Sequence, residues 1–427
     1  MFGRQLLLII SSMHVAYAAI SILIQHTSLR SKRLRPHQRG EDKISALPDD
    51  LLVHIMLFLP TKDVVATIIL SKRWQSVWTM VPKLGYLNIK DDTHKAFTGG
   101  LFGRLLGRLF DKSDHQQRCL WQFVDKSLQV HKAPVLEILA IELIGPFRCH
   151  VDVGKWIANA VDRRRVHELA LVTTWTAVEP AHLSKTLYTC DTIVNLYLVG
   201  NILVDVPSRV FLPSVVSNVL YYVLYKDEDS LFRLLSNCPT LKNLLVKRHH
   251  HDNVGNFNIK VPSLESLYYE NVLLECTMKD LWLHIWCNSI NFSKLMECNV
   301  TLSAELDWLE PLMGLLQNSP NLKDLYIDQT LIQLEEDFSL SWNEPSSVPR
   351  CFSAHLEIFE WKGYIGRIKE KEAIKYIFAN SKCLKRAGFS MKSTFKVKDR
   401  EKMMKELESM SRVSTSSQLL FSTQLDF

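Results

Sequence analysis

Between Leu136 and Phe389 the spacing L-x-x-L-x-L, with other apolar residues admitted at the marked positions, recurs down the chain. It begins at Leu136, Val166, Ile193, Val216, Leu241, Leu264, Leu295, Leu322, Leu356 and Leu384, in steps of 23 to 34 residues. Apolar residues make up 47% of the sequence, so one match carries little and the warrant lies in context. Asn237-Cys238-Pro239-Thr240-Leu241-Lys242-Asn243-Leu244 and Asn318-Ser319-Pro320-Asn321-Leu322-Lys323-Asp324-Leu325 are one phrase written twice, and Asn380-Ser381-Lys382-Cys383-Leu384-Lys385 is a worn third copy. Each copy follows a helix-like stretch (Asp229 to Leu235, Asp307 to Gln317, Glu370 to Phe378), and a proline halts the helix in the first two. A unit of one helix, one turn and one short strand cannot bury its own apolar face. Neighbouring units must therefore stack, and the expected result is an α/β solenoid with a parallel sheet.

Alternate strand residues point to opposite faces, so the middle x of each L-x-L is expected to face solvent on the sheet side. These positions are Ala140, Ala170, Tyr197, Leu220, Leu245, Tyr268, Asn299, Tyr326, Glu360 and Gly388. Tyr197, Tyr268 and Tyr326 are the candidate anchors for a bound protein, although tyrosine suits a strand anywhere. The array is similar to the leucine-rich repeat in its long, irregular plant form. Its last part, Glu344 to Phe421, contains S-V-P-R-C-F, H-L-E-I-F-E-W-K-G-Y-I-G and E-K-E-A-I-K-Y-I-F-A-N-S-K-C-L-K. That run resembles the FBD region that ends plant F-box proteins with leucine-rich repeats. Physically it continues the pattern with a strand at Leu356 to Trp361, a helix from Lys369 to Ala379, a strand at Leu384 to Phe389 and a charged helix from Lys398 to Met410. That last helix is suited to covering an open end.

Ahead of the array, Asp42 to Leu87 reads as three short helices with more apolar surface than they can hide. Pro48 is placed at a helix start, Asp49 and Asp50 favour the positive end of the helix dipole, and the helix is expected to run to Pro60. Leu51, Leu52, Ile55 and Leu59 are expected on one face and Val53, Met56 and Leu57 on the other. Thr61 is the expected N-cap of Lys62 to Leu70, and Ser71 that of a third helix carrying Trp74, Val77 and Trp78 at i, i+3 and i+4. The segment I-S-x-L-P-D-D-L-L-x-x-I-x-x-F-L-P-T-K-D, followed by L-S-K-R-W-x-x-x-W, resembles the F-box. The resemblance implies docking on the Skp-type adaptor of an SCF-type ubiquitin ligase, and through it on a cullin. It implies that Leu47, Pro48, Leu51, Leu52, Ile55, Leu59, Val64, Leu70, Trp74 and Trp78 include the adaptor-binding and motif-core residues.

Composition excludes several rivals. Lys and Arg number 51 against 45 Asp and Glu. Arg4, Arg30, Lys32, Arg33, Arg35 and Arg39 fall in the first 40 residues, which hold no acid, so the body is neutral at 51 − 6 = 45 against 45. That removes the electrostatic case for nucleic acid. Nine cysteines show no C-x-x-C pair and read as reduced thiols of an intracellular protein. There is no H-E-x-x-H, no G-x-S-x-G and no phosphate loop, so no catalytic residue is expected and no cofactor. His249-His250-His251 reads as a solvated loop rather than a metal site, and Glu335-Glu336 as surface charge. Leu6 to Ile24 is 19 residues without Asp, Glu, Lys or Arg. It reads as an extension foreign to the body, a membrane anchor with the basic cluster on the cytosolic side, or a targeting segment.

The expected division is residues 1–41 as the apolar and basic extension, 42–90 as F-box, 91–122 as linker, 123–343 as leucine-rich repeats and 344–427 as FBD region. The expected function is the substrate-recognition subunit of an SCF-type ligase, non-catalytic, cytoplasmic or nuclear, with the repeats binding an unidentified protein target. A membrane partner enters only through residues 6–24. The alternative is an extracellular or membrane-anchored leucine-rich-repeat binding protein.

Overall fold

The computed structural model describes residues 47–90, 120–145, 152–174, 179–248, 252, 259–271, 291–302, 308–331, 340–392 and 394–421. The readings of residues 6–24, of the glycine-containing stretch 91–117, of His249-His250-His251 and of Glu335-Glu336 lie outside them. The chain divides into two compact units, residues 1–179 and 180–426.

In the first unit, helices Asp49–Met56, Thr61–Ala66 and Trp74–Val77 precede the strand β1 (Lys83–Lys90). After helix Leu120–Val130 come β2 (Ile138–Ile144), helix Val153–Arg164 and β3 (Glu168–Thr174). The three strands pair in parallel in the order β1-β2-β3. β1 follows the helical segment directly, and Val81, Leu84 and Tyr86 bury their side chains in the repeat spacing. The sheet thus begins one strand before the first sequence match at Leu136. The junction is tied by hydrogen bonds. The backbone N–H groups of Lys132 and Ala133 donate to the Thr79 carbonyl (2.7 and 2.9 Å), and the Tyr86 and Ser127 hydroxyls meet at 2.6 Å.

The second unit holds β4 (Ala181–His182), β5 (Asn195–Gly200), β6 (Ile202–Val204), β7 (Ser217–Tyr221), β8 (Leu224–Tyr225), β9 (Asn243–Arg248) and β10 (Ser266–Asn271). It continues with β11 (Glu297–Leu302), β12 (Asp324–Asp328), β13 (Ile358–Tyr364), β14 (Arg386–Met391) and β15 (Gln418–Phe421). β5, β7, β9 and then β10 to β15 pair in parallel in chain order. β4, β6 and β8 form a separate small parallel sheet. Helices Asp229–Ser236, Leu309–Gln317, Ile368–Asn380 and Val397–Glu408 lie on the return connections, close to their expected bounds. β15, after the last of these helices, was not expected.

The repeated phrase proves to be a device for ending a helix. The amide of Asn237 donates to the Arg233 carbonyl, that of Asn318 to Gly314, and that of Asn380 to Tyr376, all at 2.8–2.9 Å. One side chain thus returns to a carbonyl of the last turn in all three copies, and in the second it shares that carbonyl with the Asn318 backbone N–H (3.3 Å). The leucines that follow, Leu241, Leu322 and Leu384, are fully buried, as are the two apolar positions after each.

Strand register tests the ten middle positions directly. Ala140 pairs with Ala170 in the first unit, and in the second one row runs Tyr197, Val219, Leu245, Tyr268, Asn299, Tyr326, Glu360, Gly388. Leu220 does not belong to it. Val219 stands there instead, and Leu220 points to the core with Leu198 and Val246. The repeat at Val216 is therefore one residue out of register. Its true core positions are Val215, Asn218 and Leu220, and the buried Asn218 breaks the apolar pattern.

A second device shapes the C-terminal part. Gly363 sits at φ +68°, in a bulge between the β13 pairs Lys362–Ser390 and Tyr364–Met391. A Cβ there would meet the Thr330 nitrogen at 2.6 Å, so only glycine fits. Beside it the indole N–H of Trp361 donates to Gln329 Oε1 (2.9 Å), and Gln329 Nε2 donates to Glu370 Oε1 (3.4 Å). The other oxygen of Glu370 accepts from the backbone N–H groups of Gly366 (2.9 Å) and Arg367 (3.0 Å). Glu370, Gln329 and Trp361 are fully buried.

Candidate functional site

Helix Asp49–Met56 starts after Pro48 (φ −58°, ψ 154°), which stands one residue outside it, with its carbonyl accepting from Leu52 N–H. Successive helical residues are about 100° apart, so Leu51 and Leu52 cannot share a face. Leu52 and Met56, four apart, are fully buried, whereas Leu51 and Ile55 are 49% and 45% exposed. Phe58, seven residues after Leu51, is 64% exposed, and its ring meets His54 edge-on at 5.7 Å. The expected face of Leu51, Leu52, Ile55 and Leu59 is thereby corrected. The outward stripe is Leu51, Ile55 and Phe58, and Leu59 is half-buried.

The other expected residues separate in the same way. Val64, Trp74 and Trp78 join Leu52 inside, with Trp78 only 1% exposed. Leu70 is 61% exposed, Pro48 is exposed and Leu47 is half-buried. Met80, which the sequence did not single out, is also exposed. The helical core is thus complete without Leu51, Ile55, Phe58, Leu70 or Met80. Phe58 is the i+7 neighbour of Leu51, and that spacing, rather than the eight-residue step to Leu59, marks the outward stripe.

The expected caps are corrected as well. Thr61 begins helix Thr61–Ala66 rather than capping it, and its hydroxyl accepts from the Gly85 N–H of β1 (2.7 Å). Ser71 caps nothing, because the third helix begins at Trp74 with Arg73 at its cap position. The Arg73 guanidinium reaches back to Asp49 Oδ1 (2.6 Å) and to the Leu47 carbonyl. It thereby fixes the entry to the first helix against the third.

In the second unit the three tyrosines lie in the common row but differ in access. Tyr197 is buried, as are Val219 and Leu245 beside it and Asn299, Glu360 and Gly388 further along, so the expectation of a solvent-facing row fails over most of its length. Alternation fixes which face a side chain takes, not whether neighbouring rows cover it. Tyr268 and Tyr326 are half-buried. The Tyr268 hydroxyl donates to Glu270 Oε2 (2.9 Å), and Glu270 also holds Lys247 Nζ at 2.5 Å. Lys247 lies over the rings of Tyr221 and Tyr222, 5.3 and 5.0 Å from their centroids. Burial opposes the charge on Lys247. Its bonds to Glu270 and Tyr222 outweigh that and raise its pKa. Burial pushes the Tyr326 hydroxyl well up, and the carboxylates of Asp324, Glu297 and Glu360 push it further.

Chemically, the described residues of these two surfaces offer apolar and ionic groups. Burial raises the Cys238, Cys298 and Cys351 thiols to about 12, away from thiolate chemistry. Among the described residues, no helix is long and apolar enough to cross a membrane.

Comparison with known proteins agrees with the geometry. The F-box domain model matches residues 44–84, and the FBD model matches residues 344–389. An Arabidopsis thaliana protein named as an F-box/FBD/LRR-repeat protein is 39% identical, over 91% of this chain and 92% of its own length. An Arabidopsis thaliana FBD-associated F-box protein is 38% identical, over 89% of this chain and 97% of its own. A further Arabidopsis thaliana F-box/FBD/LRR-repeat protein is 34% identical, over 89% of this chain and all of its own length.

Proposed function

The chain belongs to the F-box/FBD/LRR-repeat family of plant proteins, and we propose that it is the substrate-recognition subunit of an SCF-type ubiquitin ligase. The observation that carries this reading is the apolar stripe of Leu51, Ile55 and Phe58 on helices whose core is already filled. An exposed apolar helix face of this kind suits a groove on a partner. The partner is a Skp-type adaptor, and a cullin is reached through it. Of the ten residues expected at this site, Leu51, Ile55 and Leu70 make contact. Leu52, Val64, Trp74 and Trp78 hold the helices that present them, and Leu47, Pro48 and Leu59 lie at the margin.

Residues 42–90 do the docking. The repeats of residues 123–343, closed by residues 344–427, hold a protein target, with Tyr268 and Tyr326 among its contacts and Tyr197 as support beneath. The chain itself is not an enzyme. Its contribution to rate is positioning, bringing a target lysine to the ubiquitin-loaded enzyme on the same complex.

Tagged full-length chain recovered from plant cells should carry a Skp-type adaptor and a cullin. Blocking the proteasome should increase the amount of a third, co-purifying protein. Recovery of the chain without adaptor would overturn the reading.

A further inference from the structure

The buried serine, threonine and histidine side chains described in the first unit are Thr61, Thr79, Ser127, His131 and Thr173. The first four stand together where the docking helices meet the first repeat. Buried polar groups placed at one junction, and scarcely elsewhere in the unit, ask for a reason beyond packing.

The connection across that junction is short. The helical turn Trp78–Met80 ends the docking segment and β1 starts at Lys83, so only Val81 and Pro82 lie between, and proline fixes its own φ. Both carbonyls of the connection are claimed from the repeat side. The Val81 carbonyl accepts from His131 Nε2 (2.7 Å), and the Pro82 carbonyl accepts from the Ile138 N–H (3.2 Å). A carbonyl only accepts, so this histidine nitrogen carries the proton. Just before them, the Thr79 carbonyl is taken by the Lys132 and Ala133 N–H groups. All four donors belong to residues 131–138, the stretch that leads from helix Leu120–Val130 into β2.

Two more bonds cross the junction away from the connection. The Thr61 hydroxyl, on the second helix, accepts from the Gly85 N–H of β1 (2.7 Å). Ser127 spends its one proton on the Phe123 carbonyl (2.6 Å), so the Tyr86 hydroxyl of β1 donates to Ser127 (2.6 Å). A hinge needs a few residues free to change their backbone torsions. Here any turn of the docking helices against the repeat breaks several of these bonds at once, and each break strands a buried polar group. Apolar contact alone is non-directional and tolerates a range of orientations. Directed buried bonds select one.

We propose that Thr61, Ser127 and His131 are positioning residues, which lock the docking helices and the first repeat into one rigid body so that a bound adaptor meets that repeat in a single orientation. This rests on the reading of Leu51, Ile55 and Phe58 as adaptor contacts, and it names the residues that turn docking into positioning.

Paired spin labels on full-length chain test it, one at Gln75 on the third helix and one at His167 ahead of β3, both exposed. They are attached through ketone-bearing non-natural residues, since the sequence holds nine cysteines. Pulsed electron–electron resonance should give one narrow distance, the same with and without adaptor. Thr61→Val removes an acceptor and His131→Leu a donor. The double variant should broaden the distance at least about twofold, since no bonded side chain then selects the orientation. Its adaptor affinity should stay within about twofold of wild type, because the outward stripe is untouched. Thr61→Ser, which keeps the hydroxyl, should keep the narrow distance. Residues that only add stability would lower the melting temperature and leave the folded chain's distance as narrow as before. If the double variant does not fold, Thr61→Val is compared with Thr61→Ser, and equal widths overturn the proposal. A broad or double distance in wild type, a distance that moves when adaptor binds, or a folded double variant as narrow as wild type would each overturn it too. The free chain is measured without adaptor, so a narrow distance in a chain that holds no adaptor sinks the docking reading alone. A broad distance in a chain that binds adaptor sinks this inference alone.

Discussion

Replacing Trp78 with alanine is expected to destabilise the helical segment ahead of β1 by about 3–5 kcal/mol, the range for emptying a fully buried aromatic site. Trp78 is 1% exposed and closes a small core with Leu52, Met56, Val65 and Val77. A core of this size has few neighbours able to collapse into the space. Amide hydrogen exchange over residues 61–80 reads the effect as faster opening. Ile55→Ser on the outward stripe should leave exchange there almost unchanged, because Ile55 is 45% exposed and supports no core contact of that kind. Equal protection in Trp78→Ala and wild type would show that the core is not where the side chains place it.

Glu370→Leu is expected to be comparably harmful for a different reason. Three donors point at the Glu370 carboxyl, the N–H groups of Gly366 and Arg367 and the side-chain amide of Gln329. Leucine leaves the buried Gln329 amide and the two part-buried N–H groups without this acceptor, at about 1–3 kcal/mol for the buried one and less for the others, so a loss on the order of 3 kcal/mol is expected in urea unfolding of the full chain. Glu370→Gln keeps an acceptor and should cost much less. Burial is the largest influence on the carboxyl and raises its pKa above the ordinary 4.5, against the N–H of Arg367, the charge of its guanidinium, the Gln329 amide and the Gly366 N–H. In the unfolded chain the same carboxyl ionises first as pH rises. The stability it contributes is therefore full below pH 4.5 and is lost as pH climbs through the raised folded value. Glu370→Gln should flatten that part of the stability–pH curve, and an unchanged slope would refute the assignment.

How far the sequence could be read depended on whether local pattern or distant contact decided each feature. Apolar triplets such as Leu322, Leu325 and Ile327 are buried as their spacing demands, since a strand with one covered face must alternate. The pattern failed where a polar residue took a core position. Asn218 pulled the register of β7 by one, and Ser417, just ahead of β15, hid the last strand. β1 is hidden for the opposite reason, because Val81, Leu84 and Tyr86 keep the apolar spacing but follow the tryptophan motif with no break between them. Thr61 had the chemistry of a cap, but its hydroxyl is claimed by Gly85, 24 residues on. The Glu370 network is local only in its bonds to the Gly366 and Arg367 N–H groups, and its link to Gln329, 41 residues away, leaves no local trace.

At the two candidate surfaces the sequence pattern mixed the faces of the elements it pointed to. In the first helix the hundred-degree step separates Leu51 from Leu52, and only the structure shows which of them the core takes. In the repeat row, alternation placed Tyr197, Tyr268 and Tyr326 together. Access then fell to residues in neighbouring rows, which closed Tyr197 and left the other two partly open.

The central claim is that an outward apolar stripe, and not the helical core behind it, holds the adaptor. Its most direct test is the affinity of purified Skp-type adaptor for full-length chain in which Leu51, Ile55 and Phe58 are together changed to serine. Each of the three side chains contributes about 1 kcal/mol or more when covered by a partner. The account predicts at least about a hundredfold weaker binding, with amide protection over residues 61–80 kept at the wild-type level. Undiminished affinity in a variant that keeps that protection would contradict it.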